Sequence, residues 1–324
     1  MEENFSVLTN GFDFILDAVN NLILINEQNI EAEEQRRLAK YTLLHFSSGI
    51  ELVLKYRLLC EHWTYIFSDM NKANKSAFES GDFKSVDSTT IIERLENLCG
   101  INISDNDKQI LKRIRTARNK MEHFTLVESH QYFEAIVHKG LSVLLNIIAQ
   151  YFDISQFAEE ENEMFSALKS ELIRFDKHYN EMKAIATAEI LQIALQDDVL
   201  PCPACGEQYF VSTSISDMKC CFCGHIEYNA EEAATNYMEN ILGISAYASI
   251  KDGDSFPVYD CPECGSNSFL YNIKNKEWIC FSCRTKYSEQ EISFCEECGE
   301  PYLYEGDEIC ICPNCFEYKI SKDE

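Results

Sequence analysis

The chain has 324 residues, a formal net charge of −26 and 16 cysteines. Its length exceeds one minimal domain, and a hydrophobic share of 46% supplies a sizeable core. The balance is −5 over residues 1–150, −7 over 151–200 and −14 over 201–324, which makes the ribbon region a poor candidate for non-specific nucleic-acid binding. No uninterrupted run of about 18 apolar residues occurs, so no membrane span is expected. The opening MEENFSVLTN carries neither a basic segment nor an apolar signal core, which points to the cytoplasm.

Residues 5–152 read as mainly helical, with apolar positions three and four apart and no proline before Pro201. Phe5–Ile25 forms one amphipathic segment and Glu31–Phe67 a longer one, with Leu38, Tyr41, Leu44, Leu52, Leu58 and Leu59 among its apolar positions. Asn71–Asp87 is polar, contains Gly81 and reads as a loop. A short helix over Thr89–Leu98 ends at Gly100. Ser104 caps the next helix, with Asp107 three residues on in an imperfect capping box, and that helix runs to about Phe124. Ser129–Phe152 is a strongly apolar helix. Phe165, Leu168, Leu172, Phe175, Tyr179, Met182 and Ala186 then repeat at three and four residues. This stripe suits either one more helix on the bundle or a stalk that pairs two chains.

The composition changes abruptly at Pro201. Cys202, Cys205, Cys220 and Cys223 form a first cluster of two CxxC pairs; Cys261, Cys264, Cys280 and Cys283 a second; Cys295, Cys298, Cys312 and Cys315 a third. The pairs are separated by 14, 15 and 13 residues, the two-knuckle arrangement of a zinc ribbon. Two thiolates three residues apart grip one ion from a tight turn, and a following glycine permits the positive φ such a turn needs. Four soft ligands in a tetrahedron suit Zn2+, and four thiolates leave no open position, so three structural rather than catalytic zinc ions are expected. A redox CxxC would sit beside a βαβ pattern, which is absent. An iron–sulfur cluster also takes four cysteines, so ligand count alone leaves that alternative open. Cys221 competes with Cys220 for one ligand position. The Cys220 register gives CxxC followed by glycine and is preferred. Each four-thiolate zinc site adds about −2 to an already acidic region. Glu231–Ile250 reads as helical between the first two clusters.

Ala117-Arg118-Asn119-Lys120-Met121-Glu122-His123-Phe124 contains Arg, a polar residue, three more residues and His. Here, and in His45–Lys55 upstream, the sequence resembles the HEPN superfamily over residues 5–152. The resemblance implies a helical bundle that forms a homodimer with the two motifs facing one another. It further implies either a metal-independent ribonuclease or a non-catalytic binder of RNA, nucleotide or protein, and a toxin–antitoxin, defence or RNA-processing setting. The residue chemistry suits RNA cleavage. His123 can move a proton near neutral pH, Arg118 can hold phosphoryl oxygens, and Asn119 can orient either. Arg118 and His123 are five apart, about 140° around an ideal helix, which favours a site completed by a partner chain. Lys108, Lys112, Arg113, Arg115, Arg118 and Lys120 give this helix local basic character. Arg118 could equally pair with Glu122, and Glu51 with Lys55, one turn apart.

The expected architecture is an all-α bundle followed by three small β zinc ribbons. The divisions are a helical domain over 1–152, a helical extension over 153–199, a ribbon over 200–230, a helical linker over 231–256, and ribbons over 257–290 and 291–324. The expected function is a metal-independent endoribonuclease with RNA at Arg118 and His123. The alternative is a non-catalytic adaptor whose acidic ribbons dock a protein or RNA. Tyr271, Trp278 and Tyr304 are candidate stacking residues, with Trp278 the better candidate for a ribbon core.

Overall fold

The computed structural model describes residues 6–25, 30–193, 199–213, 217–252, 255–304, 306 and 310–323. They fall into two compact units, Met1–Ala184 and Ile185–Glu324. The expected first helical residue, Phe5, lies outside the described residues.

The first unit is built on an antiparallel pair, α1 (Val7–Ile25) and α2 (Ala32–Glu61). In α1, Leu8, Phe12, Ile15, Val19 and Leu22 recur every three or four residues, and all five are fully buried. Each such side chain contributes about 1.5–3 kcal/mol on burial. The two backbones touch where both helices carry glycine. A Cβ at Gly49 would lie 2.5 Å from Ile15 Cγ1 and 2.7 Å from the Gly11 carbonyl. Near the same crossing, His45 Nδ1 lies 2.5 Å from Asp17 Oδ2, a structural role for that histidine.

The apolar pattern suggests one helix from Glu31 to Phe67, but α2 stops at Glu61. His62 is extended, and its ring nitrogen accepts from the Thr64 N–H to start a 3-10 turn at Trp63–Ile66. The expected loop over 71–87 is also partly helical. Met70–Lys72 forms a 3-10 turn and Lys75–Ser80 forms α3, capped by Asn74 at one end and by Gly81 at φ 74° at the other. Buried Arg94 organises this region by donating to the carbonyls of Tyr65 (2.6 Å), Phe67 (2.5 Å) and Ser68 (3.1 Å). It sits on α4 (Ser88–Asn97), whose N-cap Asp87 accepts from the N–H groups of Thr89 and Thr90.

Helix α5 (Asp105–His123) starts at Ser104, whose Oγ accepts from the Asp107 N–H and donates to the Asp107 carboxylate at 2.7 Å. Next, α6 (His130–Tyr151) buries Leu141, Leu144 and Ile148 completely. Helix α7 (Glu159–Ile193) follows, and Phe165, Leu168, Phe175, Tyr179 and Met182 of its stripe are buried. Phe165 lies 6.2 Å from Phe12, and the Tyr179 ring stacks on His138 at 3.9 Å. Both α1 and α6 are long and apolar enough to cross a membrane by length and composition, with 50% and 78% of their apolar windows buried inside the protein. An uninterrupted apolar run is not needed for that, only few charges.

The second unit carries three small antiparallel sheets. In the first, β1 (Phe210–Ser212), β2 (Met218–Cys220) and β3 (Ile226–Glu227) lie in chain order. The expected helix over 231–250 is broken. Helix α8 (Ala230–Tyr237) runs into a π-helical turn, Met238–Leu242, ended by Gly243 at φ 78°, before α9 (Ala246–Asp252). The second sheet is β4 (Tyr259–Asp260), β5 (Asn267–Asn272), β6 (Glu277–Cys280) and β7 (Lys286–Ser288); the third is β8 (Ile292–Phe294) with β9 (Pro301–Leu303). Asn272 Nδ2 donates to the buried Tyr237 hydroxyl at 3.2 Å, joining α8 to β5. Trp278 is buried and stacks on Phe269 at 5.0 Å, so it belongs to the core of the second ribbon. The last element among the described residues is α10 (Pro313–Asp323).

Candidate metal centres and candidate active site

Five of the six cysteine knuckles repeat one backbone pattern. The first cysteine's N–H donates to the carbonyl five residues on, as in Cys202 to Glu207 (2.8 Å) and Cys220 to His225 (2.8 Å). Its own carbonyl accepts the N–H four residues on, as from Gly206 (2.8 Å) and Gly224 (2.9 Å). This turn drives the residue after the second cysteine to positive φ. Gly206, Gly224, Gly265 and Gly299 take φ of 70–77°, and Arg284 accepts φ 67° where glycine is missing. The sixth knuckle departs from the pattern. Cys312 precedes α10 and Cys315 lies in its first turn, so a helix replaces the strand return of a ribbon.

These turns converge the thiols of each cluster. Within each tetrad the four Sγ atoms lie within 4.8 Å of one another. Cys202–Cys223 and Cys205–Cys220 are 3.8 and 3.9 Å apart, Cys261–Cys283 and Cys264–Cys280 both 3.7 Å, and Cys298–Cys312 3.8 Å. A disulfide needs about 2.05 Å. Four thiolates at about 2.3 Å from one ion sit about 3.8 Å apart in a regular tetrahedron. Each tetrad can therefore hold one metal ion, and Cys220, not Cys221, completes the first. Burial is graded: all four cysteines of the first tetrad are buried, while Cys264 and Cys283 of the second and Cys298 of the third are exposed. In the first tetrad, burial pushes the Cys202 thiol well above its ordinary range, so a bound cation is what would keep that cluster ionised.

In the helical unit, Arg118, Asn119 and His123 all lie near the end of α5. Arg118 and Asn119 line one polar cavity of about 300 Å3 together with Ser47 and Glu51 of α2, Asp87 and Ser88 at the start of α4, and Arg115. His123 lines a broader, more open groove with Thr89, Thr116, Lys120 and Phe124, and Asn119 and Arg115 reach both spaces. Asn119 Oδ1 accepts from Arg118 Nη1 at 3.0 Å. Arg118 Nη1 also pairs with Glu122 Oε2 at 2.6 Å, and the same oxygen lies 3.5 Å from His123 Nε2. Glu122 thus sits between the two candidate catalytic side chains. His123 is 71% exposed at the helix end, whereas Arg118 is half-buried at 35%.

Glu51, Ser85 and Ser88 of the polar cavity join a hydrogen-bonded cluster with Lys55. Buried Lys55 Nζ donates to Glu51 Oε1 (2.5 Å) and Ser85 Oγ (2.9 Å), and Ser88 Oγ donates to Glu51 Oε2 (3.2 Å). The Asp87 carboxyl is held below its ordinary range, chiefly by the Thr90 N–H, with Arg115 adding to the effect. Basic side chains of α5 already have partners within the free protein. Lys108 pairs with Glu96 at 2.6 Å, and Arg115 bonds Thr89. No local pattern marks Ser47, Ser88 or the central place of Arg115, because the packing of α2 with α4 and α5 brings them together. No family model, no curated protein and no solved structure matches this chain.

Proposed function

We propose that this chain is an endoribonuclease of HEPN type that cleaves RNA by 2′-hydroxyl transesterification, with three structural zinc ions holding its C-terminal ribbons. The observation that carries the reading is the shared placement of Arg115, Arg118 and Asn119 on one polar cavity, with His123 exposed in the adjoining groove. Two guanidinium groups suit the non-bridging oxygens of a phosphodiester and the charge that grows on them in the transition state. The RNA 2′-hydroxyl attacks phosphorus, the bond from phosphorus to O5′ breaks, and the products are a 2′,3′-cyclic phosphate and a 5′-hydroxyl. Neutral His123 accepts the 2′-hydroxyl proton, and a protonated histidine supplies one to O5′. A homodimer with facing motifs provides one histidine for each transfer. Phosphate binding requires Arg118 to exchange the Glu122 carboxylate, and Arg115 the Thr89 hydroxyl, for phosphoryl oxygens.

Zinc is the metal proposed for the tetrads because one tetrahedral ion explains the spacing of 3.7–3.9 Å, whereas a multi-iron cluster spreads its thiolates over separate irons. With all four positions filled by sulfur, the ion supplies structure only. The test of the enzymatic reading is incubation of the full-length chain with single-stranded RNA, with and without brief EDTA treatment. Fragments ending in 2′,3′-cyclic phosphate in both cases are expected; intact RNA would sink the proposal.

A second role for the ribbon unit is docking of a basic protein segment. The observation favouring it is the set of exposed apolar side chains on an acidic region, among them Ile273, Phe294, Phe316 and Tyr318. Recovery of a basic protein partner that is lost on charge reversal of the ribbons would support this role.

A further inference from the structure

Beside the polar cavity lies a second one of different character. Its volume is about 290 Å3, and its walls are Ile50 and Leu54 of α2, Ile91 and Ile92 of α4, and Leu111 and Ile114 of α5. That size is near the roughly 300 Å3 lower end of small-molecule sites, and such sites combine apolar walls with a few polar groups at the edge. The two cavities are neighbours in a strict sense: Ser47, Glu51, Ser88 and Arg115 line both. Arg115 therefore stands at their junction, with Arg118 and Asn119 on the polar side only.

A ligand spanning this pair of cavities has a compact apolar body joined, over a short distance, to an anionic group that two guanidiniums recognise. A nucleotide within an RNA strand has this construction: a flat base with apolar faces, one sugar away from a phosphodiester. A fatty chain would make no use of the charged side chains that also line the apolar cavity, among them Glu93 and Lys112. The polar edge of a base would meet those groups while its faces lay against the isoleucine and leucine walls.

We infer that the apolar cavity between α2, α4 and α5 is a nucleobase subsite for a nucleotide flanking the scissile phosphate, with Arg115 holding the phosphate that joins it to the cleavage point. The assignment rests on the ribonuclease reading above and adds a recognition element to it. The substrate is accordingly single-stranded, because a base held in a duplex cannot leave its partner to enter the cavity.

The test uses the full-length protein and RNA oligonucleotides carrying one abasic ribonucleotide at each position around the cleavage point. At one flanking position, loss of the base is expected to lower kcat/KM about tenfold. Leu111→Trp, which fills the cavity, should bring the intact RNA down to the abasic level, so that the ratio falls to near one. Ile92→Phe serves as a second filling variant, and thermal melting identifies any variant that fails to fold. A wild-type enzyme indifferent to base removal at every flanking position, or a folded filling variant that keeps the tenfold ratio, overturns the subsite while leaving the ribonuclease reading intact. Should the wild-type protein cleave no RNA, that reading fails, and the subsite is then decided by binding. Oligonucleotides with 2′-deoxy substitution at the central position should bind about tenfold more tightly with the base than without it, and equal affinity overturns the subsite.

Discussion

The Arg118 guanidinium lies 2.6 Å from the Glu122 carboxylate, and that carboxylate is also 3.5 Å from the His123 ring. An anion of the protein thus occupies the position where the proposed function places an anion of the substrate. On the proposed function Glu122 would compete with phosphate for Arg118, and in the free protein it holds the arginine along the helix toward the next turn. Half-exposed pairs of this kind are weak, worth about 0.2–1 kcal/mol, so a phosphodiester can displace the carboxylate.

Glu122→Gln is therefore expected to lower KM for RNA about two- to fivefold, by removing that competing charge. Steady-state kinetics on one oligonucleotide measure this directly. A rise in KM would instead make Glu122 an organiser of Arg118.

The cysteine tetrads give a stoichiometric expectation. Elemental analysis of the full-length protein should find three zinc ions per chain. Cys220→Ser should lose one of them, because its Sγ stands 3.9 Å from Cys205 inside the buried tetrad, whereas Cys221→Ser should keep all three. Equal zinc content in both variants would contradict the ligand assignment.

His138 gives a pH dependence. Burial lowers its pKa below the ordinary 6.5, against the opposing pull of Asp176 at 2.6 Å. The folded state therefore resists a proton that the unfolded chain accepts. Stability should fall as pH drops below about 6.5 and level off once the folded-state pKa has been passed. His138→Gln should flatten that part of the profile in denaturant titrations, and an unchanged slope would assign it to other groups.

Gly49 tests the packing that positions the candidate site, since α2 also carries Ser47 and Glu51. A Cβ there would press against Ile15 and the Gly11 carbonyl, and backbone cannot yield as a side-chain tip can. Gly49→Ala should cost about 1–3 kcal/mol in chemical denaturation, the range for overpacking a core. No loss would mean that α1 and α2 can move apart freely.

The cysteine centres were legible because their chemistry is local: two ligands and a glycine fit within five residues, and the repeat of that unit is visible in the chain. Even so, Cys312-Pro-Asn-Cys315 reads like the other pairs but opens α10, since nothing in the four residues distinguishes a strand return from a helix start. Helix α3 was hidden for a related reason. It is a single capped turn and a half, and Gly81, which the sequence offers as a loop marker, is its left-handed cap. The motif residues Arg118, Asn119 and His123 could be picked from sequence, but their division between two spaces could not. The positions of Ser47, Ser88 and Arg115 depend on how α2, α4 and α5 cross, which no local pattern encodes.

The proposed cleavage of RNA by Arg118 and His123 can be measured in single turnovers of one end-labelled RNA with the wild-type, His123→Ala and Arg118→Ala full-length proteins at matched zinc content. Wild-type protein should yield 2′,3′-cyclic phosphate ends, with each variant slowed at least about 100-fold. Cleavage by His123→Ala at the wild-type rate would show that His123 takes no part in the reaction.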